Sequence, residues 1–168
     1  MIESIPYVLT GIGIIISILY YTSVLRNANK TQQIQLDTRQ AQLLMQIYNR
    51  MDTPEKAKAV NHIMKMKFSS FEELIRDYIE APDQETWNYV LSVVIMLEGQ
   101  GVMIKQNYVK IESIGHLLGG FVVFFWNLFD SYKTEIREYL GYSKWASETE
   151  YLYTELMKYY EEHPELAT

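Results

Sequence analysis

No cysteine occurs among the 168 residues, which excludes a disulfide framework, a thiol nucleophile, Cys-ligated metals and iron–sulfur clusters. Histidine is scarce, and His62, His116 and His163 stand apart, with neither an HExxH nor a Glu-x-x-His arrangement around them. The chain has no GxGxxG, Walker A or GxSxG stretch. No catalytic residue is assigned on these grounds, and neither a cofactor nor a metal is expected. Positive charge is also short: the net charge of −6 argues against nucleic acid, because phosphate contacts need a concentrated basic face. Proline occurs only at positions 6, 54, 82 and 164, so little interrupts a helix.

The charge is unevenly placed. Residues 26–67 hold eight Lys/Arg against three Asp/Glu, whereas residues 68–168 hold seven against seventeen. Residues 4–25 hold none, and this run, "IPYVLTGIGIIISILYYTSVL" at its centre, supplies the roughly 20 apolar residues a helix needs to cross a bilayer. Tyr7 near one end, and Tyr20 with Tyr21 near the other, suit the headgroup level. A cleaved signal peptide is the alternative. It fits less well, because the run is long, no Lys or Arg precedes it and no Ala-x-Ala site follows.

Arg26 and Lys30 follow the run directly and act as topology determinants, which places the N-terminus outside and the rest in the cytoplasm, as a single-pass protein of the cell membrane. Gly13-x-x-x-Ser17 would let two such helices approach closely, a spacing open to a homo-oligomer. No breaker lies between Gly13 and Pro54, so one helix of about 69 Å can run from Pro6 to Met51. Residues 26–40 carry too few apolar groups to bury a face and are expected to form a polar stalk. Ala41, Leu44, Met45, Tyr48 and Met51 then recur at helical spacing, as a packed face would.

The remainder is a string of helix signals. Thr53-Pro54-Glu55 opens a helix to about Lys67, and Ser70-x-x-Glu73 is a capping box opening a helix that Pro82 stops, with Arg76 expected to pair with Glu80. A buried helix from Trp87 is expected to end at Gly99 and Gly101, leaving Val102 to Ile104 as the one turn that can be extended. Asn107 is expected to cap a helix to Leu118, with a turn or kink at Gly119-Gly120, a continuation to about Tyr139, and a last helix over residues 145–162. The fold class is therefore all-α: an N-terminal transmembrane helix over 1–25, a helical stalk over 26–40, and a cytoplasmic helical bundle over 41–168. Residues 113–129 also lack charge but span only about 25 Å as a helix. They are read as a central bundle helix with Phe121, Phe124, Phe125, Trp126 and Phe129 in the core, and a second span or re-entrant hairpin stays open.

The blocks "YYTSVLRNANKTQQIQLDTRQAQLLMQIYNR", "LEGQGVMIK", "HLLGGFVVFFW" and "EYLYTELMKYYEEHPEL" resemble an uncharacterised family of single-span, membrane-anchored helical prokaryotic proteins, a domain of unknown function. The resemblance covers nearly the whole chain. It implies an N-terminal anchor and a helical cytoplasmic domain, and it brings no active site.

Two function classes follow. The first is a membrane-anchored binding or scaffold protein, whose partners are the lipid bilayer and other membrane or membrane-proximal proteins. Tyr132, Tyr139, Tyr142, Trp145, Tyr153 and Tyr160 form its candidate aromatic interaction surface. The second is a membrane-tethered enzyme, with Glu112 and His116 on one helix face at i, i+4 as the nearest thing to a site. The absence of any motif with a catalytic mechanism favours the first.

Overall fold

The computed structural model describes residues 5–166, with side chains from Leu9 onward. The side chain of Tyr7 and the first four residues of the expected anchor lie outside the described residues. The chain divides into two compact units between Gln42 and Leu43, and no strand occurs among the described residues. The protein is all-α.

The first unit consists of α1 (Ile5–Met51) up to the division. Its polar side chains turn inward on their own helix: the hydroxyls of Ser17, Thr22 and Thr38 donate to the carbonyls four residues earlier, at 2.8, 2.7 and 2.7 Å. Gln33 Nε2 donates to Asp37 at 2.9 Å.

The second unit begins with the last turns of α1. Ile47 is the buried residue there, and Leu43 and Leu44 pack beside it, whereas Ala41, Met45 and Tyr48 are exposed. Leu44 packs as expected and Met51 is half-buried, but the stripe is centred on Ile47 rather than on 41/45/48, because both are good helical spacings and only the partner helices choose between them.

In α2 (Pro54–Met64), Thr53 Oγ1 accepts from the Lys56 N–H at 3.2 Å, and Pro54 sits where its missing N–H costs nothing. The short α3 (Phe71–Leu74) is capped by Ser70, whose hydroxyl accepts from Glu73 N–H at 3.2 Å. Glu73 reaches back to Ser69, whose N–H and hydroxyl donate to it and hold its carboxyl below the usual range. The chain then widens into a π turn, Ile75–Ile79, closed by Glu80 N–H on the Ile75 carbonyl at 2.8 Å. That widening corrects the expected Arg76–Glu80 pair. Residues four apart no longer face each other, so Arg76 bonds Asp77 and Glu80 accepts from the Tyr139 hydroxyl at 2.6 Å.

α4 (Glu85–Lys105) runs straight through Gly99 and Gly101, and residues 102–104 are helical. Gly101 is there for a neighbour: a Cβ on it would strike the backbone carbonyl of Glu148. Asn107 ends α4 rather than starting the next helix. It takes φ 56°, and the N–H groups of Asn107 and Tyr108 bond the Ile104 and Met103 carbonyls at 2.9 Å each, the Schellman arrangement in which Asn replaces Gly. Gly141 ends α6 (Lys133–Tyr139) the same way, at φ 61°, with Tyr142 N–H on the Arg137 carbonyl at 3.0 Å.

α5 (Ile111–Phe129) is likewise unbroken at Gly119-Gly120. A Cβ on Gly119 would meet the hydroxyl of Tyr160, which donates to the Gly115 carbonyl at 3.2 Å, so both glycines make room for α7 (Ser147–Glu162). Phe125, Trp126 and Phe129 are buried, and Phe121 and Phe124 are half-buried against them. Phe129 centres the aromatic core, with rings of Phe125, Phe68 and Trp145 at 5.0, 6.0 and 6.1 Å.

α7 starts on its neighbours. Its first-turn Thr149 donates both N–H and hydroxyl to Glu98 Oε1 of α4, at 2.6 and 3.0 Å, so a carboxylate from another helix does the work of a cap. Glu150 accepts from Lys133 at 2.8 Å and Arg137 at 2.9 Å, and Arg137 also donates to the Trp145 carbonyl. Burial pushes the Glu150 carboxyl up, but the bonds from Lys133 and Arg137 outweigh it and hold the group below its ordinary value of 4.5. A carboxyl lowered on folding stabilises fully above its unfolded value and loses that contribution as pH falls through the folded value. Thermal melts at stepped pH should therefore show a midpoint that drops below pH 4.5. In Glu150→Gln the acid drop should shrink, with a loss of about 1 kcal/mol at neutral pH after allowance for solvent screening. An unchanged acid drop would place the titrating group elsewhere.

Candidate functional site

The largest uncovered apolar surface belongs to the first unit. Leu9, Ile12, Ile14, Ile15, Ile16, Ile18, Leu19, Val24 and Leu25 are each at least 43% exposed, and Tyr20 and Tyr21 stand at 65%. Keeping nine such side chains in water rather than an apolar medium costs roughly 1.5–3 kcal/mol each. Three helical stretches are long and apolar enough to cross a membrane: residues Leu9–Met51, Glu85–Lys105 and Ile111–Tyr139. They differ in what the protein itself covers. None of the first stretch's apolar window is buried, whereas the other two bury parts of theirs within the second unit.

Arg26 and Lys30 are exposed and make no ion pair among the described residues. Gly13 has open space around it, and its carbonyl takes the Ser17 hydroxyl. The aromatic candidates do not form one patch. Trp145 is buried, correcting its assignment to the surface, because its ring packs edge-on against Phe129. Tyr132 packs on Phe68 and Tyr153 on Trp126, while Tyr160 is held at Gly115. Tyr139 is 43% exposed yet bonded to Glu80, which raises its hydroxyl pKa. Tyr142 alone of the six is both prominently exposed, at 56%, and without a hydrogen bond from its hydroxyl among the described residues.

Glu112 and His116 are exposed on α5, with no hydrogen bond or ion pair joining them. No group of three His, Cys, Asp or Glu among the described residues is placed to hold a metal.

A groove that the sequence did not suggest lies in the second unit, between the end of α1, the start of α2 and the middle of α4. Its volume is about 320 Å³, within the range of small-molecule sites. Arg50, Lys56, Ser92 and Gln100 supply its polar groups, and Lys56 Nζ donates to Ser92 Oγ at 3.1 Å. Ile47, Ile95, Met96 and Met103 supply its apolar wall. Gln100 is 3% exposed and its Oε1 has no hydrogen-bond partner among the described residues. The signal was there in part: Arg50 and Lys56 flank the break at Pro54 with no acid beyond Asp52 and Glu55 nearby. What sequence spacing could not show is that α4 faces them.

Comparison of the sequence with protein-family models and curated proteins, and of the structure with solved structures, finds no match.

Proposed function

We propose that the chain is a membrane-anchored helical binding protein: α1 spans the bilayer once with its apolar stretch up to Leu25, and the second unit lies in the cytoplasm, where it engages other membrane or membrane-proximal proteins. The uncovered apolar stretch of α1 carries this reading, since none of the described residues shields it and a hydrocarbon core would. The apolar faces of α4 and α5 are partly spent on each other's neighbours in the core, which supports one span rather than three. Tethering near the inner leaflet raises the second unit's effective concentration toward other membrane proteins. Membership in a family of single-span anchored helical proteins belongs to the same proposal.

Orientation follows from Arg26 and Lys30. A reporter after Thr168 is expected to read cytoplasmic and one before Met1 exterior. Near an anionic leaflet each basic residue contributes about 1 kcal/mol within a Debye length of ~8 Å. Lys30 lies about 8 Å past Leu25 along the helix, and Arg39 about 21 Å. Arg26→Glu with Lys30→Glu should therefore give mixed orientation by protease accessibility in inverted vesicles, and Arg39→Glu should not. An exterior reading at both termini would overturn the single span. Affinity purification from native membranes tests the binding role: a stoichiometric membrane protein should co-purify, and repeated recovery of the chain alone would remove it.

A further inference from the structure

We propose that the groove between α1, α2 and α4 binds a single-chain anionic amphiphile, with a phosphate and a free hydroxyl in its head and an alkyl tail along α4. Four observations converge on that chemistry. First, two cations meet at the groove with no carboxylate of their own: neither Arg50 nor Lys56 forms an ion pair among the described residues, although eight pairs form elsewhere. Phosphate is the anion that a guanidinium and an ammonium bind together well.

Second, Gln100 brings a buried amide oxygen with no donor. An unsatisfied buried acceptor is costly, and a head-group hydroxyl would satisfy it. Third, the remaining wall is aliphatic and thioether, with Met96 and Met103 able to adapt to a flexible chain. Ile95 is 72% exposed, more than any apolar side chain described on α1, and the span from Ser92 to Met103 is about 16 Å along the helix. That length suits a tail and is wasted on a free anion.

Fourth, Gly99 lines the groove and leaves it open, with nothing within 4 Å of where its Cβ would stand. It makes no close helix contact of the kind Gly101 makes, so packing does not explain it. By contrast, a hollow of about 210 Å³ lined by Tyr48, Met51, Asp52 and Leu117 has no basic group. The proposal does not depend on which way α1 crosses a membrane.

The test uses the full chain in phosphatidylcholine nanodiscs and a lysophosphatidylglycerol carrying a photoreactive tail, with cross-links located by mass spectrometry. Labelling is expected on Ile95, Met96 or Met103, and the zwitterionic lysophosphatidylcholine analogue, which keeps the phosphate but sets a quaternary ammonium beside Arg50 and Lys56, should label these at least about tenfold less. Gly99→Leu should abolish groove labelling while the melting temperature holds, since the position is open and leucine is a better helix former. Arg50→Gln with Lys56→Gln should reduce it by about tenfold or more. Inorganic phosphate in excess should compete weakly. Equal labelling by the zwitterionic analogue, undiminished labelling in Gly99→Leu, labelling confined to the first unit, or full competition by inorganic phosphate would each overturn the proposal.

Discussion

Gly101→Ala should destabilise the second unit by about 3 kcal/mol or more, the upper range for forced overpacking. The added methyl would stand against the Glu148 carbonyl carbon and oxygen, which are backbone atoms and cannot swing aside. To admit it, α7 must move off α4, and three linked contacts go with it. Those are the Glu98 bonds to Thr149, the Lys105–Glu148 pair at 3.0 Å, and the Lys105 ammonium over the Tyr151 ring at 5.4 Å. Thr149 is fully buried, so its hydroxyl would lose its partner in a site without water to replace it. For a unit of this size the melting midpoint should fall by roughly 10 °C. Gly99→Ala, two residues away on the open side, should instead raise stability by roughly 0.5–1 kcal/mol through helix propensity alone. Thermal unfolding followed by tryptophan fluorescence in nanodiscs compares the two, and equal midpoints would show that α4 and α7 do not meet at Gly101.

Ile15→Arg with Ile18→Arg should release the protein from membranes. Both side chains are more than half exposed, so neither contributes to the second unit's core, and any effect reports on the surroundings of α1. An arginine near the centre of a span costs about 2.5–3.5 kcal/mol. Two of them disfavour insertion by about 5–7 kcal/mol, or roughly four to five powers of ten. Ile15→Ala with Ile18→Ala should stay with the membrane. Carbonate extraction followed by sedimentation distinguishes these outcomes. If the double arginine variant sediments like the unaltered chain, the anchor is α4 or α5, and the reading of α1 as the single span fails.

Helix starts and the long α1 were legible because their causes are local. Thr53, Ser70 and Glu73 act on N–H groups within four residues, and the run between Gly13 and Pro54 holds no breaker to end a helix. The candidate site was legible only as composition. The basic character around Arg50 and Lys56 is visible in the chain, but the groove exists because Ser92 and Gln100, more than 35 residues on, face them from α4.

The glycines show where local reasoning stops. Gly99, Gly101, Gly119 and Gly120 look alike to a rule that reads glycine as a helix end, yet α4 and α5 continue through all four. Two of them are spaces for α7, and that purpose belongs to a residue more than 40 positions away. Asn107 likewise carries a cap signal that does not say which helix it serves, and the left-handed turn after Lys105 decided for the preceding one. Residue chemistry and short-range hydrogen bonding set the helical class, the caps and the uncharged run of α1. Which face of each helix is buried, where helices end at glycine, and which cations stay unpaired were settled by packing, because those depend on distances between residues that spacing along the chain does not encode.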